Sequence, residues 1–322
     1  MYNNCMTTKK IAKVVGLLCL FLAIMIPELS FAKVDSVEVY LTKASAAFTR
    51  QKFSEALTEY RNALRFDSLN PSIFKGMGDS YYLMGNFQMA LENLRQAQKL
   101  DSNDAGTYNS LGATYINLRD TAKALEYYTR AVTLDPGDLS FVKNLVSLLM
   151  AKRKFPEAYS FLKKTLAEDT ADAELQFLGA NYFLTQGQYA EAERHIDLAV
   201  KLDPKQAKYF YVQGQAEENL NKSPEAETAY KVAIGLNPDY FDARQRLGVF
   251  YILAERYPEA MRQFEEAVRI RPESDEARIA LGAAYFHNEM PDKAEEVYNY
   301  LKKKNPEAAE KMRQLINPDI KQ

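Results

Sequence analysis

The sequence is nearly without cysteine, wholly without tryptophan, and has two histidines in 322 residues. Both cysteines, Cys5 and Cys19, lie in the first 32 residues. Beyond them there is no thiol for a disulfide scaffold, a thiolate zinc site or a cysteine nucleophile. Glycine (13) and proline (12) are sparse, which excludes collagen-like and linker-dominated chains. Charge of one sign is also missing: 41 basic and 43 acidic residues leave a formal net charge of -2, with no electrostatic footprint for nucleic acid. No HExxH, glycine-rich phosphate loop or nucleophile elbow occurs. With 47% hydrophobic and 26% charged residues the composition is that of an ordinary globular chain, and length alone suggests two domains of about 150 residues.

Long apolar runs are scarce as well. The run from Val14 to Ile26 has 13 residues, short of the roughly 20 a helix needs to cross a bilayer. Lys9, Lys10 and Lys13 precede it, Pro27 ends it, and Ser30 and Ala32 place small residues where a signal peptidase reads. Residues 1–32 therefore read as a secretory signal peptide, with an uncleaved membrane anchor as the alternative. A lipid anchor on Cys19 is disfavoured because Leu17 and Leu18 stand where small residues belong. The expected location is extracytoplasmic, best fitting a periplasm, or membrane-anchored and facing it. Any membrane contact is then confined to that segment. Cleavage leaves a cysteine-free chain of formal charge −4.

What the sequence does have is a beat. Stepping by 34 from Ala56 meets Ala90, Ala124, Ala158, Ala192, Ala226, Ala260 and Ala294, so all eight positions are alanine. Seven residues later, six of eight are alanine, the exceptions being Thr165 and Leu301. Between them runs a bulky row: Tyr60, Leu94, Tyr128, Leu162, Ile196, Tyr230, Phe264 and Tyr298. Upstream lies a small row, with Gly78, Gly112, Gly214, Gly248 and Gly282 among its members, and three residues on an aromatic-rich row including Tyr81, Tyr115, Phe183, Tyr251 and Tyr285. Small, bulky and small residues four and three apart share one helical stripe. Glycine or alanine on one helix lets a second approach closely, and the bulky residue fills the gap. Pro136, Pro204, Pro238, Pro272 and Pro306 stand where the second helix must stop, whereas Pro156, Pro224 and Pro258 stand in a first helical turn, which tolerates proline. Each unit is a helix, a turn, a helix and a turn, with helices of about 14 residues and roughly 20 Å.

At this spacing residues 71–104 and 105–138 resemble the tetratricopeptide repeat family. The family's tryptophan slot is filled by Phe74, Tyr108 and Phe210 in three repeats. Eight repeats are placed at 37–70, 71–104, 105–138, 139–172, 173–206, 207–240, 241–274 and 275–308, without insertion. Residues 309–322 are a capping helix and tail, with the helix expected from Ala309 to Ile316. The resemblance implies an all-α, right-handed superhelical solenoid of eight helix-turn-helix repeats with a C-terminal capping helix. That replaces the two-domain expectation from length and leaves no room for a separate catalytic domain.

Two repeats depart from the pattern. The fourth has Val146 in the small slot, Thr165 for alanine and Thr170 for proline, read as drift that neighbour packing tolerates or as a change of stacking angle. In the sixth, Glu217 takes the aromatic slot. Burying a lone carboxylate is costly, so the helix is expected to rotate or Glu217 to reach solvent, with pairing to a cation as the alternative. His195 and His287 lack convergent partners in the sequence and read as structural. No catalytic residue, cofactor or metal is expected.

The resemblance also implies a concave surface, lined by first-helix residues, that holds an extended segment or a helix of a partner protein. One lining row is Phe48, Tyr82, Ile116, Met150, Leu184, Glu218, Ile252 and Phe286. Beside it, at one and two turns back, lie Asp79, Asn181 and Gln215, then Lys75, Asn109, Lys143, Phe177 and Tyr211. The amides can hydrogen-bond a peptide backbone and the aromatics can anchor side chains. The family's carboxylate clamp, a Lys–Asn pair one turn apart, is absent: Lys75 is followed by Asp79, and Lys143 by Ser147. The expected function is a non-enzymatic extracytoplasmic adaptor serving envelope, secretion or surface-polymer assembly. The alternative is an accessory of glycan synthesis or export that touches carbohydrate. Exposed edges of the terminal repeats leave room for self-association.

Overall fold

The computed structural model describes residues 36–168 and 171–316, so the signal-like segment and Thr170 lie outside the described residues. Among the described residues there are seventeen helices and no strand. The first helices of the hairpins are α1 (36–49), α3 (Pro71–Leu83), α5 (Ala105–Asn117), α7 (Leu139–Ala151), α9 (Ala173–Thr185), α11 (Ala207–Asn219), α13 (Phe241–Leu253) and α15 (Asp275–His287). The second helices are α2 (Phe53–Leu64), α4 (Phe87–Leu100), α6 (Thr121–Leu134), α8 (Phe155–Glu168), α10 (Tyr189–Leu202), α12 (Ser223–Leu236), α14 (Tyr257–Ile270) and α16 (Pro291–Lys304). A last helix, α17 (Pro306–Ile316), follows. From α3 onward each first helix begins 34 residues after the one before, and from α2 onward so does each second helix. The fold is all-α, of the helical-repeat solenoid class.

Local chemistry sets these boundaries. Asn70, Asp104, Asp172 and Ser274 cap α3, α5, α9 and α15 by accepting from a backbone N–H of the first turn, which satisfies one otherwise orphan donor. Asn86 and Asp120 do the same for α4 and α6. Pro224 and Pro258 sit in the first turns of α12 and α14, where no N–H is needed. The turn inside each hairpin carries a left-handed residue at one register: Gln51, Gly85, Arg119, Arg153, Gly187, Asn221, Glu255 and Glu289, with φ between 55° and 76°. Only two of these are glycine, so six side chains hold a conformation that costs a non-glycine residue on the order of 1 kcal/mol.

The small and bulky rows meet as their sizes require. A Cβ placed on Gly78, Gly112, Gly214 or Gly248 would lie 2.5–2.7 Å from Leu94, Tyr128, Tyr230 or Phe264, the bulky member of the same hairpin. All eight row alanines starting from Ala56 are buried. Closing a fully buried side chain such as Phe264 off from water contributes about 2–3 kcal/mol.

The chain forms two compact units, Met1–Leu149 and Met150–Gln322. The division falls near the end of α7, in the fourth repeat, where buried Val146 fills the small slot. In the first unit α1, α2 and α3 build a cluster around Ala44, Ala56, Tyr60, Ile73 and Met77. In the second unit Ala180, Ile196, Tyr209 and Val212 form one cluster, and Tyr230, Leu247, Phe264 and Leu281 another. Ala308, Ala309 and Met312 of α17 pack with Ala294 and Leu301 of α16. The helix starts three residues before the expected Ala309. Pro306, read as the stop of the last repeat, is its first residue, because Asn305 ends α16 and its Oδ1 accepts from Ala308 N–H at 3.3 Å.

Candidate functional site

In the first unit the first-helix row is neither core nor fully free. Phe48 and Tyr82 are half-buried, and Ile116 is 36% exposed. Phe48 meets Phe53 edge-on at 5.5 Å and Tyr82 meets Phe87 at 5.7 Å, so each ring rests on the start of its own second helix. The Tyr82 hydroxyl accepts from Asn117 Nδ2 at 3.1 Å, linking α3 to α5. Lys75 Nζ lies 3.0 Å from Asp79 Oδ2. Burial works to lower the pKa of Lys75, but the Asp79 carboxylate outweighs it and leaves the lysine above its ordinary value. Asn109 Oδ1 accepts from Asn144 Nδ2 at 2.9 Å, and Lys143, beside Asn144, is half-buried.

In the second unit Met150, Leu184 and Ile252 are half-buried and Phe286 is 41% exposed. Phe177 lies 5.1 Å from Tyr209, with Lys208 Nζ 4.7 Å from the centre of the Phe177 ring. Lys208 and the Tyr209 hydroxyl both hold Glu174. Asn181 Nδ2 donates to Phe177 O at 2.9 Å, and Gln215 Nε2 to the Tyr211 hydroxyl at 3.1 Å. Tyr211 packs on Tyr240 at 5.3 Å, and burial pushes its pKa up. Glu218, the charged member of the row, accepts from the Tyr230 hydroxyl at 2.7 Å and from Arg246 Nε at 2.9 Å. Phe286 forms one wall of an apolar cleft of about 380 Å³ with Pro291, Tyr298, Met312 and Ile316.

The amides expected to face a peptide backbone are thus partly committed. Asn181 and Gln215 each give a donor within their own helix, and Asn109 gives its acceptor to α7. In each unit the arrangement is a semi-exposed apolar row whose polar neighbours are held by hydrogen bonds.

The histidines are packing residues. His195 is buried, stacks on Phe183 at 5.1 Å and pairs its Nδ1 with Gln176 Oε1 at 2.7 Å. Burial, then the Arg194 charge, lowers its pKa. His287 stacks on Tyr257 at 4.9 Å. Among the described residues no three His, Cys, Asp or Glu side chains could hold a metal ion. No described helix is long and apolar enough to cross a membrane. Glu217 corrects its expectation: it is 7% exposed rather than solvated, and its Oε2 has no hydrogen-bond partner.

Models described as tetratricopeptide repeat or TPR repeat match residues 44–85, 78–118, 105–138, 143–207, 177–241, 211–275 and 251–316. The chain belongs to the tetratricopeptide repeat family. Tetratricopeptide repeat proteins are typically non-catalytic scaffolds that bind protein partners. Among solved structures, the C-terminal part of a TPR repeat-containing protein from Cytophaga hutchinsonii is 16% identical with a TM-score of 0.54, over 74% of this chain and 98% of that one. The APC/C hetero-tetramer Cut9-Hcn1 is 15% identical with a TM-score of 0.62, over 86% of this chain and 55% of that one. At these identities both show likeness of fold alone. No curated protein matches.

Several residues of the tetratricopeptide repeat face were not singled out from the sequence: Asn117, Asn144, Lys208, Tyr240 and Arg246. A signal for some of them exists. Tyr82 and Asn117, Asn109 and Asn144, and Glu174 and Tyr209 are each 35 residues apart. One repeat plus one residue is the offset at which neighbouring first helices touch. Arg246 lies 28 residues from Glu218, an offset the beat does not mark.

Proposed function

We propose that this protein is a non-enzymatic adaptor working outside the cytoplasm, whose first-helix faces hold an extended segment or a helix of a partner protein. The observation that carries the reading is the apolar row itself. Phe48, Tyr82, Ile116, Met150, Leu184, Ile252 and Phe286 recur at one register and all stay at least partly open to solvent, where a core row would be closed. The signal-like layout of residues 1–32 supports an extracytoplasmic address, and envelope, secretion or surface-polymer assembly is the setting that fits it. Half-buried aromatics such as Tyr82, Phe177 and Tyr211 supply the kind of anchor that dominates interface energy.

Two measurements test the reading. A photo-crosslinking residue at Ile116 or Ile252 should capture a defined partner in the native host, and the same residue at exposed Lys163, on a second helix, should not. Equal capture from all three positions would remove the first-helix face from the proposal. Mass spectrometry of the envelope fraction should find a mature N-terminus at Lys33, and a chain retained whole in the cytoplasm would overturn the address.

A further inference from the structure

The sixth repeat holds a feature that the first-helix row does not use. A cleft of about 400 Å³ lies on α11 and α12, lined in part by Phe210, Gln213, Glu217, Pro224, Glu225 and Val232. Glu217 is 7% exposed, and its Oε2 is closed to solvent and meets no donor. The charged groups acting on it are Asp197 and Glu193 from α10, Glu225 from α12, and Lys222 at the start of α12. Lys222, the cation among them, is held by both oxygens of Glu193 at 2.6 and 2.7 Å. Asp197 accepts from Gln213 Nε2 at 2.8 Å. On the neighbouring α9 and α13, Glu174 is held by Lys208 and Tyr209, and Arg246 is engaged by Glu218. The cleft is left with a buried carboxylate that has no counter-charge of its own. Burial, followed by Asp197, Glu193 and Glu225, pushes the Glu217 carboxyl up to about 7 against the pull of Lys222.

A buried carboxylate of this kind is costly unless something pairs with it. The walls beside it are an aromatic ring, a proline and a valine, with a second carboxylate, Glu225, exposed on α12. Flat apolar walls over two carboxylates match a guanidinium better than an ammonium. The guanidinium is planar, more weakly hydrated, stacks on aromatic faces, and presents donors in a fork that fits a carboxylate. The terminal torsion of a glutamate is broad, so Glu217 can turn either oxygen toward such a fork.

We propose that this cleft receives the guanidinium of an arginine carried by a partner polypeptide, paired by Glu217 and Glu225 between the walls of Phe210, Pro224 and Val232. The site goes beyond the adaptor reading and stands without it, since it uses the α11–α12 cleft and none of the first-helix row.

The test is an NMR titration of the full chain with four probes: N-acetyl-arginine N-methylamide, its lysine and citrulline counterparts, and calcium chloride. The arginine probe should move the amide signals of Phe210 to Val232, bind about fivefold tighter than the lysine probe, and be matched by no response to citrulline, which keeps the shape and loses the charge. Glu217→Gln should weaken arginine binding about tenfold or more while the unfolding midpoint holds or rises. Glu225→Gln, an exposed substitution that leaves the packing alone, should weaken it about threefold. Equal shifts from arginine and citrulline, unchanged binding in both variants, or a response to calcium rather than arginine would overturn the proposal. Free arginine binding tighter than the blocked form would overturn the assignment to a polypeptide.

Discussion

Repeats three and six share a packing plan and part company at the aromatic slot of the first helix. In both, a glycine on the first helix is pressed by a tyrosine on the second, Gly112 by Tyr128 and Gly214 by Tyr230. Three residues on, repeat three has Tyr115, whose hydroxyl accepts from Arg95 at 2.6 Å and whose ring stacks on Tyr127 at 5.3 Å. Repeat six has Glu217 there, buried, with its Oε2 meeting no hydrogen-bond donor. The same slot elsewhere shows why tyrosine suits it. Tyr81 accepts from Arg61, whereas Tyr251 donates to Glu227 and Tyr285 donates to Glu265. A phenol can serve either sign of neighbour, while a carboxylate can only accept. The slot therefore tolerates variation in the preceding helix when it holds tyrosine and loses that tolerance when it holds glutamate.

The comparison can be broken first at what the repeats have in common. Gly112→Val and Gly214→Val should each cost about 3 kcal/mol in urea unfolding, because the new atoms overlap a tyrosine ring in both repeats. A clear difference between the two would show that the close approach is not equivalent.

The second test concerns the differing slot. The Glu217 carboxyl is raised to about 7 in the folded chain, so the folded state holds its proton more tightly than the unfolded one. Stability should then fall as pH rises from about 4.5 to about 7 and level off above, by an amount on the order of 2 kcal/mol. Glu217→Gln should flatten that slope and be the more stable protein at pH 8, as read from unfolding curves at pH 5 and pH 8.

A third test uses a carboxylate of the same repeat that is displaced the other way. Burial works to raise Glu227, but donors from Lys231, Arg256 and Tyr251 outweigh it and hold its carboxyl at about 2. Its contribution is present above the ordinary carboxylate pKa and is lost as pH falls toward 2. Glu227→Gln should cost about 1–2 kcal/mol at pH 7, and the difference from the parent chain should shrink as pH falls from about 4.5 toward 2. The smallest effect is expected in the hairpin turns. Glu255→Gly, at φ 55°, should gain about 0.5 kcal/mol, and Gly85→Ala, at φ 76°, should lose about 1 kcal/mol.

Much of the fold was legible because the 34-residue step survives in residue size. Alanine and glycine rows can be read directly, and they mark the close contacts between helices. The start of α17 was misread because a proline after a helix and a proline opening the next look alike in sequence, and Asn305 decides between them by capping. For the candidate face, the register of its apolar row could be read from the spacing, whereas the partners of its polar members could not. Nothing in the spacing tells that Gln215 is turned onto Tyr211 or that Arg246 is drawn to Glu218.

By itself the amino-acid order determined the helical hairpins, their length, their turns and the row of side chains each presents, since these follow from size and propensity at fixed spacing. Only the packed structure decided which polar groups found partners. The charge state of Glu217 depends first on its burial, then on Asp197 and Glu193 from the preceding hairpin and on Glu225 and Lys222 within its own. Electrostatic energy depends on distance and burial in space, and position along the chain specifies neither.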